Sequence, residues 1–592
     1  MTIRSPSGNV FEIGLVMAGA ASAGAYTAGV VDYLIEALQA WEEAKLRGDP
    51  DIPDHETQIR VAAGASAGGI VAAMLGMLPF TGHFPMRDLA GLEDAAAAQN
   101  ADLNLLYRCW VRDVDLRDML VNDDLVGEGR GVPSLLNGRV LAAAADRAVA
   151  STRAAASIAG TPPRFFANPL QLYLCFTNMQ GLSYEISMIA DETMRGHRVR
   201  SHADYGHFAV FGAGSGEAEP LPPGAIAIGS QAGAAGAAAD GWDLLRDAGL
   251  ATSAFPGGFP ARPFRNPMEA YRHRGNFGPA AEIGGGGVSV SLKLPSHVSA
   301  SYDFWSVDGG LLDNEPLQYA RMALNGSPHA RAVRDSRRAD RAVLLVDPFP
   351  SDLEALPAAF GACPDLLDSL LRVVPILRDH VAFKPQDLIL ALADDIRSRF
   401  LIAPIRETMQ NGEMALASAG LSGFAGFVDE RLRMHDFQLG RRNCQKFLRD
   451  HFSVHVENPI VAGWVERLRR RPGALDRYFG ETRRADGRVV KDPTMVQVVP
   501  LMDAVRPEVP LLAWPKLDRE LHFTPLRRLI EGRAEAIVPE IVRSLLVRLG
   551  VDDHRLLQRA LEAVACKVIT HRVAASTCAA LERDLTTRNL MV

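Results

Sequence analysis

Arg60-Val61-Ala62-Ala63-Gly64-Ala65-Ser66-Ala67-Gly68-Gly69-Ile70-Val71-Ala72-Ala73-Met74-Leu75 is the stretch on which the reading of this chain turns. The part before Ser66 is apolar and short enough for a buried strand, and the part after it suits a helix. A serine on the sharp turn between the two is held exposed, with the positive end of the helix behind it. Gly64 and Gly68 permit a tight backbone that a side chain would obstruct. The same order recurs upstream. Phe11 to Met17 reads as a first strand and runs into the small-residue loop Ala18 to Ala23. A helix is expected from Gly24 to about Ala44, since Ala25, Val30, Leu34, Ala37 and Leu38 fall near helical spacing. Leu172 to Phe176 and Ala342 to Val346 are further short apolar runs of strand character. Strands alternating with helices indicate an α/β layer with a mainly parallel central sheet.

With 592 residues, 48% of them hydrophobic, the chain can bury a sizeable core. Length alone suggests roughly three to five domain-sized units. Residues from about 84 to 160 read as a mostly helical excursion between sheet strands. Gly212 to Gly241, rich in Gly, Ala, Ser and Pro, reads as a mobile surface loop, and Gly284 to Gly287 as a second flexible point. After Asp347-Pro348-Phe349-Pro350 the pattern changes. An α/β domain is therefore expected over 1–350 and a mostly α-helical region over 351–592, as in Asp365 to Val374 and Ala534 to Leu549. Ile537, Ile541, Leu545, Leu546 and Leu549 share one helical face, which is expected to pack internally.

The formal net charge is −7 and no strongly basic stretch is present, which argues against nucleic acid as a partner. The run Arg467-Leu468-Arg469-Arg470-Arg471 reads as a solvated helix face. Six cysteines (Cys109, Cys175, Cys363, Cys444, Cys566, Cys578) are scattered without C-x-x-C spacing, so neither a disulfide framework nor a zinc site is expected. They fit a reducing compartment and read as small buried hydrophobes. The apolar segment Ile13 to Val31 lacks a preceding cationic run and is built on Gly, Ala and Ser, unlike a signal sequence. No other window approaches the roughly 18 apolar residues of a spanning helix. A cytoplasmic protein is expected, with contact at a membrane surface left open.

Chemistry needs partners for the Ser66 hydroxyl. In the standard hydrolase order a nucleophilic serine lies after several strands and is followed by an acid and then a histidine. Ser66 follows only the second identifiable strand, which disfavours that arrangement. The first loop, Gly19-Ala20-Ala21-Ser22-Ala23-Gly24, offers backbone amides and a helix end that suit a developing oxyanion. A second motif, Asp308-Gly309-Gly310, is by itself a strong turn sequence.

Together these stretches resemble the patatin-like phospholipases. The glycine-rich loop followed by a helix starting Ala-Tyr-x-Ala-Gly-Val matches Gly19 through Val30. The nucleophile elbow matches Gly64-Ala65-Ser66-Ala67-Gly68, and the acid motif with its downstream Asn-x-Pro matches Asp308-Gly309-Gly310 and Asn314-Glu315-Pro316. Ala251-Thr252-Ser253-Ala254-Phe255-Pro256-Gly257 looks like the segment that the family carries ahead of its aspartate. The resemblance covers residues 10 to 350 or so and is silent on the rest. It implies a patatin-like three-layer sandwich and a Ser-Asp dyad. Ser66 would be the nucleophile, Asp308 the general base, and the amides of Gly19, Ala20 and Ala21 the oxyanion hole. The chain departs from the family loop in carrying Ala20 and Ala21 in place of glycines and Ala23 in place of Lys or Arg. Alanine tolerates φ > 0 poorly, so the loop's shape and anchoring are open at this point.

His297 is the histidine nearest Asp308 in sequence and reads as structural. The other fourteen are dispersed without an H-E-x-x-H pattern, so no metal site is inferred. Trp242 and Trp305 read as core or pocket wall. Gly19 and Gly24 have P-loop spacing, but Ala25-Tyr26 stands where Lys and Ser/Thr belong, and Ala21 breaks the dinucleotide pattern. The expected activity is lipid acyl hydrolysis, phospholipase A-like, through an acyl-enzyme. The implied partner is a lipid or phospholipid, with no cofactor and no metal; oligomeric state is left open. The rival expectation is a catalytically weak or inactive scaffold that binds a partner through its helical region.

Overall fold

The computed structural model describes residues 9–87, 89, 101–125, 131–156, 161–188, 197–229, 241–274, 288–294, 300–326, 333–349, 399–406, 414–483, 489–548 and 556–592. β1 (Val10–Met17) leads through the short turn Ala21–Ala23 into α1 (Gly24–Leu46), and β2 (Glu56–Ala65) into α2 (Ala67–Thr81). The excursion that follows ends in α3 (Arg139–Ala156), after short helical turns at Leu105–Tyr107, Arg108–Arg112 and Leu116–Met119. Next come β3 (Phe166–Met188), β4 (His197–Phe211), β5 (Ile226–Gly229), α4 (Gly241–Thr252) and β6 (Arg262–Pro267). β7 (Val288–Lys293), β8 (Ser301–Asp308), α5 (Leu317–Asn325), β9 (Arg341–Val346) and β10 (Arg399–Ile402) complete the α/β layer.

The central sheet runs β10-β9-β1-β2-β3-β4-β5, and its first five strands are parallel. β4 turns antiparallel to β3, while β7 and β8 pair with the far half of the long β3. The strands are apolar almost without break because both faces are covered. Ile13, Leu15 and Met17 point into the cluster that holds α1 and α2. Val16, Val61 and Ala63 point the other way, onto Leu317, Ala320 and Leu324 of α5. That is the two-residue alternation of a strand, used on both sides. The buried charges that interrupt the apolar run are paired: Arg60 donates to Glu12 at 2.6 Å and to Glu219 at 3.0 Å, and Arg341 of β9 lies 3.8 Å from the same Glu12.

Beyond residue 350 the chain both extends the sheet and adds helices. β10 pairs with β9, so the parallel layer draws on sequence past the expected boundary. α6 (Glu430–Asp450) lies across α1 at two glycines. A Cβ on Gly29 would sit 1.9 Å from the Phe437 carbonyl oxygen, and one on Gly440 would sit 2.2 Å from that of Tyr26. The backbones meet there because neither helix has a side chain in the way. β11 (Ser453–His455), α7 (Pro459–Arg469), β12 (Phe479–Arg483) and β13 (Val489–Gln497) follow, forming a small antiparallel sheet in the order β11-β13-β12. α8 (Thr524–Arg548) and α9 (Leu556–Thr587) close the chain. The region is mainly helical, with these short strands as an addition.

Several expectations change. Within 212–241, β5 is a sheet strand with Ile226 and Ile228 buried, so loop-like composition concealed a short core element. Of the apolar face expected on α8, Ile537 is buried while Ile541 and Leu545 stand 41% and 56% exposed; the Leu546 side chain and Leu549 lie outside the described residues. Trp305 is 51% exposed on β8, neither core nor pocket wall, whereas Trp242 packs edge-on against Phe80. The run at 467–471 is a solvated face as expected, with Arg469, Arg470 and Arg471 exposed, and Arg467 and Arg471 pair there with Asp54 and Asp51. Gly284 to Gly287, His297, Cys363 and Asp365 to Val374 lie outside the described residues. Cys109, Cys175, Cys444 and Cys578 are buried thiols outside any disulfide. No described helix is long and apolar enough to cross a membrane.

Candidate active site

β3 is the strut on which the site is assembled. The last residue of β2, Ala65, pairs with Cys175, and the last residue of β8, Asp308, pairs with the adjacent Phe176. Two strand ends from distant sequence therefore stop side by side. Ser66 follows Ala65 directly, and its Oγ donates to Asp308 Oδ2 at 2.5 Å across a separation of 242 residues. A bond that short is at the strong end for hydroxyl and carboxylate.

Ser66 itself is bent into φ 52, ψ −125, a conformation that L residues avoid and that surrounding contacts must hold. The turn is tight enough that a Cβ on Gly64 would fall 2.4 Å from Gly68, and one on Gly68 would fall 2.0 Å from the Met17 carbonyl oxygen. Glycine is the residue that fits at both places. α2 begins at Ala67, so its amide end lies directly behind the serine.

Asp308 is buried and fixed from several sides. Its Oδ1 accepts the Gly310 amide at 2.7 Å, its carbonyl accepts the Thr177 hydroxyl at 2.8 Å, and its amide donates to the Ala254 carbonyl at 2.9 Å. The Gly310 bond leaves Oδ2 aimed at the serine. Ala254 belongs to the segment 251–257 singled out in the sequence, and so does Thr252, whose hydroxyl accepts the Ser66 amide at 2.9 Å.

The loop after β1 lies beside this pair. A Cβ on Gly19 would come within 2.9 Å of the Ser66 Cβ. The Gly19 amide, one of the three expected at an oxyanion, donates to Asn314 Oδ1 at 3.1 Å. The next two residues take unusual backbone angles, Ala20 with φ −151, ψ 20 and Ala21 with φ 44. Among the described residues no hydrogen bond occupies the amides of Ala20 and Ala21. The left-handed Ala21 is the strained loop shape that the alanine replacements raised as a question.

A pocket, partly open to solvent, has Ser66 and Asp308 in its wall. The rest of the lining is almost wholly apolar. Ser66, Ile70, Ala73, Met74 and Met77 give it one side of α2, while Trp110, Leu141 and Leu245 come from the excursion and α4. Phe255, Phe259, Phe424 and Phe427 form an aromatic wall. Cys109 also lines it, but burial pushes its thiol up to about 12, so it is neutral and no rival nucleophile. Arg246 of α4, in the pocket wall, pairs with Asp146 of α3 at 3.0 Å, and Arg153 of α3 pairs with Asp243 of α4 at 2.6 Å, bracing the two helices. Among the described residues no group of three or more His, Cys, Asp or Glu is placed to hold a metal ion.

Ser66, Asp308, Gly19, Ala20 and Ala21 thus lie in one place. Sequence reading missed the roles of Thr252 and Asn314, although both stand in stretches it quoted. It missed the lining aromatics Phe424 and Phe427 because they come from the region it left unassigned. Chemically, the arrangement has a hydroxyl hydrogen-bonded to a buried carboxylate, amides alongside, and an elongated apolar space in front.

No protein-family model matches the chain. A protein of Sinorhizobium fredii (strain NBRC 101917 / NGR234), named Uncharacterized protein y4iI, is 36% identical over 597 residues, which covers 93% of this chain and 79% of that protein. At that identity and coverage, the chain belongs to the same family as the Sinorhizobium fredii protein.

Proposed function

We propose that this protein is a lipid acyl hydrolase of the patatin-like kind, a serine ester hydrolase working through a Ser-Asp dyad. The observation that carries the reading is the 2.5 Å bond between Ser66 Oγ and Asp308 Oδ2 at the wall of a long apolar pocket. In the proposed reaction Asp308 takes the serine proton as Oγ attacks the ester carbonyl carbon. Negative charge moves onto the carbonyl oxygen, which the amides of Ala20 and Ala21 and the end of α2 stabilise; such donors are worth roughly 3 kcal/mol each in acyl transfer. The proton passes from Asp308 to the departing alcohol, leaving the acyl group on Ser66. Water, deprotonated by Asp308, then releases the carboxylic acid.

A carboxylate is a weak base for an alcohol, so much of the rate must come from the oxyanion side. The apolar pocket favours a fatty-acyl ester over a small polar one, because a hydrocarbon chain gains by leaving water there. A membrane or phospholipid aggregate would supply such chains, with the protein attached at its surface. Purified protein tested on chromogenic fatty-acyl esters decides the matter. Wild type turns them over, and Ser66→Ala and Asp308→Ala each abolish the signal. Equal inertness of all three proteins across acyl lengths favours the scaffold reading instead.

A further inference from the structure

The segment Gly420–Val428 belongs by sequence to the C-terminal region, yet it rests on the loop that follows β1. Its backbone is unusual: Leu421 (φ 48), Ser422 (φ 56) and Gly423 (φ 88) are left-handed in succession. Such a run persists only where its surroundings dictate it. The chain on either side of it is held by charged side chains. Asp436 on α6 accepts the amides of Ala417 at 2.7 Å and Ser418 at 2.9 Å, and also the Ser418 hydroxyl. Arg588 donates to the Leu416 carbonyl at 2.5 Å. Arg433, fully buried, donates to the Gly426 carbonyl at 2.6 Å and to the Val111 carbonyl at 3.0 and 2.8 Å. Val111 lies in the turn that contributes Trp110 to the pocket.

This segment meets the loop at Ser22, the residue after the left-handed Ala21. The Ser22 hydroxyl donates to the Gly423 carbonyl. A Cβ on Gly423 would fall 2.9 Å from the Ala20 carbonyl oxygen, and one on Gly426 would fall 2.4 Å from Ser22 Oγ. Two strained backbones therefore lie in direct contact, each limiting the other. The loop Gly19–Gly24 carries no charged side chain of its own, and Ser22 ties it to this segment.

We propose that Gly420–Val428 is a positioning element that sets the direction of the Ala20 and Ala21 amides through the Ser22–Gly423 hydrogen bond. The proposal rests on the acyl-hydrolase reading and gives part of the C-terminal region a place in that site. Ser22 acts here as a positioning residue, since it reaches the reacting atoms only through its neighbours.

Ser22→Ala and Gly423→Ala in the full-length protein test it, the second by pressing a methyl group onto the Ala20 carbonyl. Rates are taken per active site titrated with a fluorophosphonate, so misfolded protein is not counted. Each variant is expected to lower kcat on a chromogenic fatty-acyl ester by about tenfold or more with KM little changed. Affinity for a trifluoromethyl ketone, whose serine adduct carries the oxyanion, falls in parallel, while binding of a free fatty acid does not. A purely structural role would lower Tm and leave kcat per titrated site and ketone affinity where they were. If wild type is active, Ser66→Ala is inert, and both variants keep kcat within about twofold, the positioning role is wrong and the hydrolase reading survives. If wild type itself is inert, the hydrolase reading falls and this inference falls with it.

Discussion

The Thr252 hydroxyl joins the serine turn to the central sheet: it accepts the Ser66 amide at 2.9 Å and donates to the Cys175 carbonyl at 2.6 Å. Thr252 is completely buried at the end of α4, and a Cβ on Gly69 would fall 2.7 Å from its methyl group. Thr252→Val keeps the shape and removes both bonds, to a part-buried amide and to the Cys175 carbonyl. Loss of such partners costs about 1–3 kcal/mol. Urea unfolding is expected to show a deficit of that size. Because the same amide holds Ser66 at φ 52, kcat per titrated site is expected to fall about tenfold. Thr252→Ser, which keeps the hydroxyl, is expected to remain near wild type in both measurements. A valine variant with unchanged kcat would show that the serine turn holds itself.

Asp308 has two tasks that a single substitution separates. Asparagine at 308 can still accept the Gly310 amide through its oxygen and keep the local turn, but it cannot take a proton from Ser66. Asp308→Asn is expected to cut kcat by at least about a hundredfold. The folded structure, followed by near-ultraviolet circular dichroism, is expected to stay intact. Labelling of Ser66 by a fluorophosphonate slows by a similar factor, since that reaction also needs the hydroxyl proton removed. Labelling at the wild-type rate would mean that Asp308 only orients the serine.

Much of this site was legible because its parts are local strings whose geometry is forced by small residues. Gly64 and Gly68 are required by backbone approaches near 2 Å, and such positions leave a mark in sequence. Strand-loop-helix order was legible for the same reason, since the ends of β1 and β2 that lead into the site and most of β9 are apolar. What the sequence did not reveal are the partners that distant segments find. Thr252 and Asn314 stand in quoted motifs, but each acts through one side-chain oxygen on a remote amide, Ser66 or Gly19, that no spacing indicates. β5 and β10, four residues apiece, are too short for periodicity to declare, and β5 lies in a stretch of loop-like composition. The exposed Ile541 and Leu545 show the reverse failure, in which a clean apolar stripe is not matched by a covering element along its length.

The pocket's direction predicts its selectivity. Along α2 the lining residues run from Ser66 to Met77, eleven positions and roughly 16 Å of helix rise. An acyl chain attached at Ser66 would lie along that face, with Met77 at the far end. Met77 is buried, so Met77→Trp pushes an indole into the distal space without touching Ser66. Activity on long-chain esters such as palmitate is expected to drop by about tenfold or more, mainly through KM. Hydrolysis of butyrate esters is expected to stay within about twofold. The chain-length profile measured for both proteins checks this. An equal loss on short and long esters would mean that the chain does not follow α2.

His55 makes the folded state sensitive to acid. It lies buried between Trp41 and Trp464, with ring centroids at 4.7 and 5.8 Å, and its Nε2 is 2.9 Å from the Val498 carbonyl. Its Nδ1 is buried and has no hydrogen-bond partner among the described residues, so a second proton would sit unsolvated. Burial lowers the imidazole from its usual 6.5 to about 4. The sign follows from the proton count. Between those two values the unfolded chain binds a proton at His55 that the folded protein does not, so stability falls as pH falls through that window. Going from pH 7 to pH 5 is expected to remove about 2 kcal/mol through this residue alone. His207, lowered to about 3 by burial against Tyr173, adds a similar slope. His55→Gln keeps a donor for the Val498 carbonyl but cannot titrate. Urea midpoints measured at pH 7 and pH 5 are expected to lie closer together in this variant than in wild type, by about that 2 kcal/mol, with a residual drop from His207. An unchanged gap between the two pH values would place the acid-labile proton elsewhere.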